Sequence, residues 1–328
     1  MSGFQVERGS FSGEETIELL DKNSGLGATI LPGFGSNLIS LKNNKKNISF
    51  IKTPQDFSEL QNRPTGFGTP VLMPPGRIKG GSFSFQGREY QFEKNEAGGQ
   101  NHIHGLVLNR PWSVGETSTE GGAMAQTVFS SQKFPELSQY LPQPFTITLT
   151  FKLQGDVLAI ETRVENHAPE PMPFWLGFHP YFNVPLGEQS SKADCFISLD
   201  TQQRWELAGL VPTGVLMDVQ GQYDLTAGQC LEGLLLDDVY TVKQTENRSC
   251  ARFEDRRAKA GIEYVAGPRF QHWVVYTGKD LSADFVCLEP YTGVPNAANL
   301  DLPMAQTGLM ALEQGKPFVE KMELKTFC

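Results

Sequence analysis

The sequence predicts an all-β protein built as a large antiparallel β-sandwich. Residues 148–153 and 157–164 alternate apolar and polar side chains, as half-buried strands do. The short loop between them, Gln154-Gly155-Asp156, has glycine at its centre and predicts a hairpin. The chain also contains 33 Gly and 21 Pro, and we find no long stretch with a helical period, which favours strands and turns throughout.

Further short strands are predicted along the whole chain, each bounded by turn residues. In chain order they cover residues 15–20, 27–31, 38–41, 83–85, 126–130, 174–178, 193–199, 239–244, 250–254, 261–265, 271–276 and 285–288. Only short helical turns are expected, at residues 56–61 and 136–140. Many short strands at close spacing are typical of a sandwich or barrel. Because no linker, charge run or repeat of fixed period divides the chain, residues 1–328 are expected to form a single domain.

Composition limits the classes of partner. The chain has 28 Lys plus Arg against 37 Asp plus Glu, a formal net charge of −9. This acidic balance argues against nucleic acid or an anionic membrane as the main partner. We find no apolar run long enough for a membrane helix and no signal peptide at the N-terminus, so a cytoplasmic location is expected. Whether the protein is a monomer or a homodimer is left open.

The cysteine pattern agrees with that location. The five cysteines are scattered and form no Cys-x-x-Cys pair, which disfavours zinc ribbons and thioredoxin-like chemistry. They are expected to be reduced thiols that serve mostly as small core residues.

Histidines are few enough to consider one by one. Of the five, His167 follows a strand in a turn and is expected to be exposed. His272 begins a predicted strand, where a structural role is favoured. His102, His104 and His179 remain as candidates for chemistry.

His102-Ile103-His104 raises the possibility of a metal site. If these residues lie in a strand, both imidazoles face the same side and can reach one ion, as in cupin sandwiches. Cupins place a glutamate shortly after this motif, whereas the first carboxylate downstream here is Glu116. A metal site is therefore disfavoured, and none is expected.

An acid/base mechanism needs a proton donor and a proton acceptor, expected on opposite sides of a small substrate. Glu289 is the strongest carboxylate candidate because it follows an apolar strand and precedes a proline-rich turn. This position predicts a half-buried strand end whose apolar neighbours raise the pKa of the carboxyl. A turn carboxylate that accepts backbone hydrogen bonds is the alternative.

Other charged residues offer substrate contacts. Asp237 and Asp238 end the predicted apolar strand 234–236, and neighbouring strand residues point to opposite faces, so one is expected to bind a ligand and the other to face solvent. Arg77 lies in a rigid turn, and its fork of donors suits vicinal hydroxyls or a carboxylate; a surface ion pair is the alternative. The glycine pairs at residues 33–35 and 66–68 open no predicted helix, so nucleotide binding is disfavoured.

Five motifs resemble, in order and approximate spacing, those of the aldose 1-epimerase (galactose mutarotase) family. They are residues 68–78 (GTPVLMPPGRI) with 87–90 (GREY), Asn95 with His104-Gly105 and Trp112, residues 179–182 (HPYF), residues 236–240 (LDDVY) and residues 289–293 (EPYTG). Each motif alone is weak, whereas all five in the right order are specific. Together they extend over about residues 10–325.

The resemblance implies a fold and a chemistry. The fold is the galactose mutarotase-like supersandwich, consistent with the predicted strands. The activity is interconversion of the α and β anomers of an aldohexose by ring opening and reclosure. By correspondence with the family, Glu289 is the general base on the anomeric hydroxyl and His179 is the general acid on the ring oxygen. His104 is implied to hydrogen-bond near the ring oxygen or the C1 hydroxyl.

The resemblance also implies how the sugar is held. Arg77, Asp237 and Asn95 correspond to positions around the sugar hydroxyls, and no metal or organic cofactor is implied. The sequence departs from the family pattern at Gly76 and Phe178, where asparagine is commoner. These departures leave the acid/base pair intact and the identity of the sugar open: glucose, galactose, another aldose or a sugar phosphate.

Two other functions remain as alternatives. A non-catalytic carbohydrate-binding or sugar-sensing sandwich is disfavoured because binding alone does not need both His179 and Glu289. A cupin-like metalloenzyme is disfavoured by the missing glutamate after His-x-His.

Overall fold

The computed structural model describes residues 3–328, which form many short and medium strands and little helix. The strands are β1 (Phe4–Phe11), β2 (Glu14–Asp21), β3 (Leu26–Leu31), β4 (Asn37–Asn43), β5 (Ile48–Ser49), β6 (Val71–Leu72), β7 (Arg77–Lys79), β8 (Ser82–Phe85), β9 (Arg88–Gln91), β10 (Asn101–Ile103), β11 (Ser113–Ser118), β12 (Ala123–Ser130), β13 (Phe145–Gln154), β14 (Val157–Asn166), β15 (Met172–Phe174), β16 (Gly177–Phe178), β17 (Tyr181–Asn183), β18 (Cys195–Leu199), β19 (Thr201–Ala208), β20 (Val211–Asp218), β21 (Gln229–Cys230), β22 (Asp237–Val242), β23 (Ser249–Asp255), β24 (Ala260–Ala266), β25 (His272–Tyr276), β26 (Phe285–Tyr291), β27 (Met310–Leu312) and β28 (Phe318–Phe327). The α-helices are α1 (Phe57–Asn62) and α2 (Met304–Thr307), and short 3-10 helices cover Ser131–Lys133, Pro135–Gln139, Lys192–Asp194, Gly221–Tyr223 and Ala297–Asn299.

Two large sheets and one smaller sheet make up the framework. A nine-stranded sheet has the order β11-β12-β13-β14-β28-β24-β23-β18-β21. An eight-stranded sheet has the order β20-β19-β22-β25-β26-β16-β6, with β17 also paired to β26. A five-stranded sheet, β1 to β5, lies against β12 and β13. Neighbouring strands within these sheets are antiparallel, so the predicted all-β antiparallel sandwich is confirmed.

The strongest local predictions are confirmed. Strands β13 and β14 form the expected hairpin, with Gln154 opposite Val157 and Gly155-Asp156 as the connecting loop. The helical turn expected at residues 56–61 is α1, whose first turn is capped by the Asp56 carboxylate. Residues 136–140 fall on the 3-10 helix Pro135–Gln139 and its C-cap.

Other elements differ from the sequence-based expectations. The segment 174–178 is not one strand: β15 pairs with β27, and β16 joins the eight-stranded sheet. The hairpin β19–β20 was not predicted, because its two-residue loop places Leu210 at a positive φ of 63° instead of the usual Asn or Gly. The central strand β28 was also missed.

Aromatic side chains fill the space between the two large sheets. Phe182 of the eight-stranded sheet packs on Phe253 and Tyr264 of the nine-stranded sheet. Tyr264 also packs edge-on against Trp273 of β25, with ring centroids 5.6 Å apart. The inner face of the eight-stranded sheet therefore contacts the main core, which leaves its other face for a site.

Strand β26 shows how this second face is built. Successive strand residues point to opposite faces, so Cys287, Glu289 and Tyr291 share the face away from the Val286–Leu288 side. All residues from Val286 to Tyr291 are buried. The prediction of a half-buried strand end for Glu289 is therefore wrong: this residue lies within the strand and is 1% exposed.

Two remaining expectations concern the cysteines and the membrane. All five cysteines are free, as predicted. Only Cys195 and Cys287 are buried, while Cys250 and Cys328 are exposed, so the expectation of mostly core thiols is wrong. Within residues 3–328, neither helix has the length and apolar character needed to span a membrane.

Candidate active site

A buried histidine–carboxyl pair lies on the outer face of the eight-stranded sheet. His179 sits between β16 and β17, and Glu289 lies in β26, which pairs with both of those strands. The Nε2 atom of His179 is 3.3 Å from Oε1 of Glu289. The two groups therefore lie side by side and not, as expected from sequence, on opposite sides of a substrate.

Each member of the pair has a tyrosine two residues further along its chain segment. The Tyr291 hydroxyl donates a 2.5 Å hydrogen bond to Oε2 of Glu289. The Tyr181 ring stacks on the His179 ring, with centroids 4.6 Å apart. The Tyr181 hydroxyl donates to the carbonyl of Thr65 and lies 3.3 Å from His179 Nε2, from which it accepts when that nitrogen carries a proton. These contacts fix the orientation of both groups.

Burial favours the uncharged form of both members. It lowers the pKa of His179 to about 3. It also raises the pKa of Glu289 well above its ordinary value, an effect that Asp237 reinforces and the hydrogen bond from Tyr291 opposes. Since burial opposes the charge of both groups, the pair can share one proton between Oε1 and Nε2.

His104 lies beside the pair, on an unusual backbone. Its φ is 64°, outside β10, and Gly105 follows with φ 76°. A side chain on Gly105 would clash with the carbonyl of Met73, so this crossing of two chain segments needs glycine and fixes the position of His104. The His104 and His179 rings meet edge to face, with centroids 5.5 Å apart. Burial and the neighbouring His179 lower the pKa of His104 well below its ordinary value.

The His-x-His arrangement expected for a metal does not form. His102 lies in β10 with Nδ1 2.7 Å from the carbonyl oxygen of Glu93, and its ring packs on Phe92. His104 lies outside that strand and faces the cavity. The change of backbone conformation between the two residues separates their side chains.

Arg77 and Asp237 contribute charge to the same site. Arg77 is the first residue of β7 and not part of a turn, and its Nε donates to Glu96 Oε1 at 2.5 Å. Asp237 does not end a strand: residues 234–236 lack strand structure, and Asp237 begins β22. Burial raises the pKa of Asp237, and Arg77 opposes this rise.

The two remaining predicted positions have other partners. Asn95 borders the cavity, but its amide bonds both backbone polar groups of Ile103, at 3.1 and 2.7 Å. It therefore anchors the residue before His104. Asp238 is buried and ion-paired with Arg204 at 3.1 Å, so the expectation that one of the two aspartates faces solvent is wrong.

An open cavity of about 930 Å³ joins these groups. Its lining includes all six predicted site residues, namely Arg77, Asn95, His104, His179, Asp237 and Glu289. His272 is buried outside this lining, with Nδ1 3.4 Å from Trp205 Nε1, and His167 is exposed, as predicted for both. A volume of this size accommodates a sugar.

Sequence reasoning assigned no role to several residues of the site. Tyr181 and Tyr291 lie within the quoted motifs, and the spacing i, i+2 in a strand predicts the same face as His179 and Glu289. Arg63 carried no such signal, because it lines the cavity from an irregular segment, and Glu96 reaches the site only through its hydrogen bond with Arg77.

A Tyr291→Phe variant tests the hydrogen bond to Glu289. This bond stabilises the carboxylate, so its loss raises the pKa of Glu289 further and makes the ionised form, the base expected from the sequence, rarer. We expect turnover to fall about 10- to 100-fold, the range for a hydrogen bond to a charged group. The alkaline limb of the pH–rate profile, where the pair loses its proton, moves to higher pH.

Tyr276→Phe is the matched control, because Tyr276 lines the same cavity without a hydrogen bond to Glu289. If Tyr291→Phe has unaltered turnover and the alkaline limb of its pH–rate profile stays in place, Tyr291 does not tune the carboxyl group of Glu289.

Fold and site together define a β-sandwich with a buried histidine–carboxyl pair at the wall of an open cavity. The family profile of aldose 1-epimerases matches residues 17–325. The chain therefore belongs to the aldose 1-epimerase family, and it is an isomerase. The family resemblance and enzyme class expected from the motifs are confirmed.

Individual relatives are distant in sequence. Human galactose mutarotase is 25% identical over 292 residues, which cover 82% of this chain and 80% of that protein. The uncharacterized protein YihR of Escherichia coli is 25% identical over 250 residues, 75% of each chain. A crystal structure of a galactose mutarotase-like protein from Clostridium acetobutylicum superposes with a TM-score of 0.92 at 26% identity, covering 100% of this chain and 99% of that one. These relatives support the predicted supersandwich.

Proposed function

We propose that the protein catalyses the interconversion of the α and β anomers of an aldohexose. The observation that carries this proposal is the buried contact between His179 Nε2 and Glu289 Oε1, 3.3 Å long, at the wall of an open polar cavity. Membership of the aldose 1-epimerase family supports the same reaction.

The position of the pair suits the reacting atoms. In a pyranose the anomeric hydroxyl and the ring oxygen are both bonded to C1, so the groups that exchange protons with them must be close together. An acid and a base side by side can reach both oxygens of one carbon. Donors and acceptors on opposite sides of the sugar are not required.

Proton movement follows from the single mobile proton of the pair. In the reactive form Glu289 is a carboxylate and His179 carries Nε2–H. Glu289 takes the proton of the C1 hydroxyl while His179 gives its proton to the ring oxygen, and the C1–ring-oxygen bond breaks to leave the open-chain aldehyde. After rotation about C1–C2, Glu289 returns its proton to the aldehyde oxygen, and His179 takes the proton of the attacking hydroxyl. The opposite anomer forms, and the pair is restored.

Neighbouring residues orient the sugar. His104 contacts the region of the ring oxygen and C1 hydroxyl, while Arg77 and Asp237 hold hydroxyls further round the ring. Glu96 engages only the Nε of Arg77, which leaves the two Nη groups for substrate. Asn95 acts through Ile103, by holding the segment that carries His104.

Arg77→Gln is expected to weaken substrate binding. The side chain then loses its charge and its forked donors, so KM should rise about 10- to 100-fold, with a smaller change in kcat. Steady-state kinetics with the preferred sugar measures both quantities.

Arg110→Gln is the control, since Arg110 pairs with Glu136 and does not line the cavity. A kcat that falls while KM stays constant contradicts a binding role for Arg77.

A sugar phosphate is the second candidate substrate, and two cations favour it. Arg63 and Lys279 line the cavity, and neither has a carboxylate partner in the described part of the chain. The cations that lie near the motifs in sequence, Lys79, Arg88 and Arg110, do not line the cavity. Two unpaired cations at the cavity of an acidic protein suit a phosphate carried on the far end of the sugar.

Polarimetry of freshly dissolved sugars in weak buffer tests the proposed activity. The panel contains α-D-glucose, α-D-galactose and α-D-glucose 6-phosphate, each with and without protein. Faster decay to the equilibrium rotation for any member supports the proposal, and the ratio of rates identifies the substrate class. Sugar binding without acceleration for any member would overturn it in favour of a binding protein.

A further inference from the structure

The active-site pair has a third neighbour, a buried thiol that the proposed mechanism does not use. Cys287 lies two residues before Glu289 in β26 and therefore faces the same side of the sheet. Within residues 3–328, His179, Cys287 and Glu289 are the only three potential metal ligands whose donor atoms all lie within 4.8 Å of one another. All three residues are buried, which distinguishes this cluster from ordinary surface carboxylates.

The separation of the nitrogen and oxygen donors suits a tetrahedral ion. Two ligands bonded to zinc at about 2.0–2.2 Å in tetrahedral geometry are roughly 3.3–3.5 Å apart. The observed separation between His179 Nε2 and Glu289 Oε1 is 3.3 Å. An ion seated between these two atoms has the cavity on its open side. Cys287, whose donor atom lies within 4.8 Å of the other two, supplies the third ligand.

Tyr181 is the competing partner of two donor atoms, since its hydroxyl lies 3.3 Å from His179 Nε2 and hydrogen-bonds the Cys287 thiol, so a bound ion replaces these contacts. Tyr291 bonds Oε2 of Glu289 and so directs Oε1 toward His179, which is the usual arrangement of an outer hydrogen bond to a ligating carboxylate. Asp237 adds negative charge next to Glu289 and Cys287. A divalent cation replaces the protons of the thiol and of the Glu289–His179 pair, and so compensates the charge of the thiolate and carboxylate.

We propose that His179 Nε2, Cys287 Sγ and Glu289 Oε1 form a binding site for a thiophilic divalent ion such as Zn²⁺, and that this ion inhibits the enzyme. The nitrogen, thiolate and carboxylate donors match the preferences of zinc, whereas Mg²⁺ and Ca²⁺ prefer oxygen alone. The inhibitory part rests on the proposed function, because metal and proton transfer use the same lone pairs. Cys287 is the residue that adds metal affinity to an acid/base pair.

Cobalt spectroscopy tests the site independently of activity. The full chain is titrated with Co²⁺, and a thiolate-to-cobalt charge-transfer band with intense tetrahedral d–d bands is expected at one equivalent. Cys287→Ser should abolish the charge-transfer band, whereas Cys250→Ser, which removes an exposed thiol, should retain it. A band that persists in Cys287→Ser, or no band in the unaltered protein, overturns the proposal.

Inhibition provides the second test. Zn²⁺ should slow mutarotation reversibly, with recovery on addition of EDTA, while Mg²⁺ has no effect. Without metal, Cys287→Ser should keep turnover within about twofold, and its sensitivity to Zn²⁺ should fall at least 10- to 100-fold. Equal inhibition of both proteins overturns the proposal. If no sugar of the panel reacts, the proposed function has failed, and the cobalt titration still decides whether the metal site exists.

Discussion

Replacement of Glu289 by Gln is expected to lower kcat by about 10²–10⁴-fold and to change sugar affinity by less than about tenfold. Glutamine has the same shape and can still accept the hydrogen bond from Tyr291, but it cannot take a proton from the anomeric hydroxyl. The comparison therefore isolates proton transfer from packing and binding. Polarimetry measures turnover, and isothermal titration with the preferred sugar measures affinity.

The same variant should be at least as stable as the unaltered protein at neutral pH. Burial raises the pKa of Glu289 in the folded state, so the free energy of unfolding falls as the pH rises above the ordinary carboxyl pKa, where only the unfolded chain loses the proton. Glutamine has no proton to lose, and this pH-dependent cost disappears. A thermal melt above pH 5 measures the difference.

Glu320→Gln is the matched control, because burial also raises the pKa of Glu320, which lies in β28 of the other large sheet. It should leave turnover unchanged. If Glu289→Gln keeps near-normal turnover, Glu289 is not the base.

The strands that sequence predicted well are those with one face on the core and one on solvent. In β13 and β14 buried and more accessible residues alternate, and this alternation is what a period-two pattern detects. Strand β26 is different, because both of its faces are covered. Its last residues, Glu289 to Tyr291, resemble a turn in sequence, since a carboxylate and a proline rarely occupy a buried strand. The site therefore lies on a strand that neither period-two alternation nor the usual residue preferences of strands predict.

The motifs predicted side chains that line one cavity, but not how those side chains are arranged. Arg77, His104, His179 and Asp237 are far apart in sequence and line one cavity with Glu289. The contact between His179 and Glu289 depends on the pairing of β26 with β16 and β17, a long-range register that periodicity does not determine. The sequence therefore could not predict that His179 and Glu289 lie side by side instead of on opposite sides of the substrate.

His179→Asn is expected to lower kcat by about 10²–10⁴-fold with sugar affinity within about tenfold. Asparagine keeps a polar group next to Tyr181 but cannot exchange a proton with the ring oxygen, so ring opening loses its acid. His167→Asn, at an exposed histidine, is the control for the substitution itself. If His179→Asn retains the same normal turnover as the His167→Asn control, the assignment of the acid to His179 is wrong.

Acid stability gives a second, independent check on the protonation state of His179. Burial lowers the pKa of this residue from 6.5 to about 3, so only the unfolded chain binds its proton between those values, and the folded protein loses stability as the pH falls through this range. Asparagine binds no proton in either state. Relative to the unaltered protein, His179→Asn should therefore gain stability on going from pH 8 to pH 5 in urea melts. If the difference in stability between His179→Asn and the unaltered protein is the same at pH 8 and pH 5, His179 titrates normally in the folded protein. A proton shared with Glu289 would then have no basis.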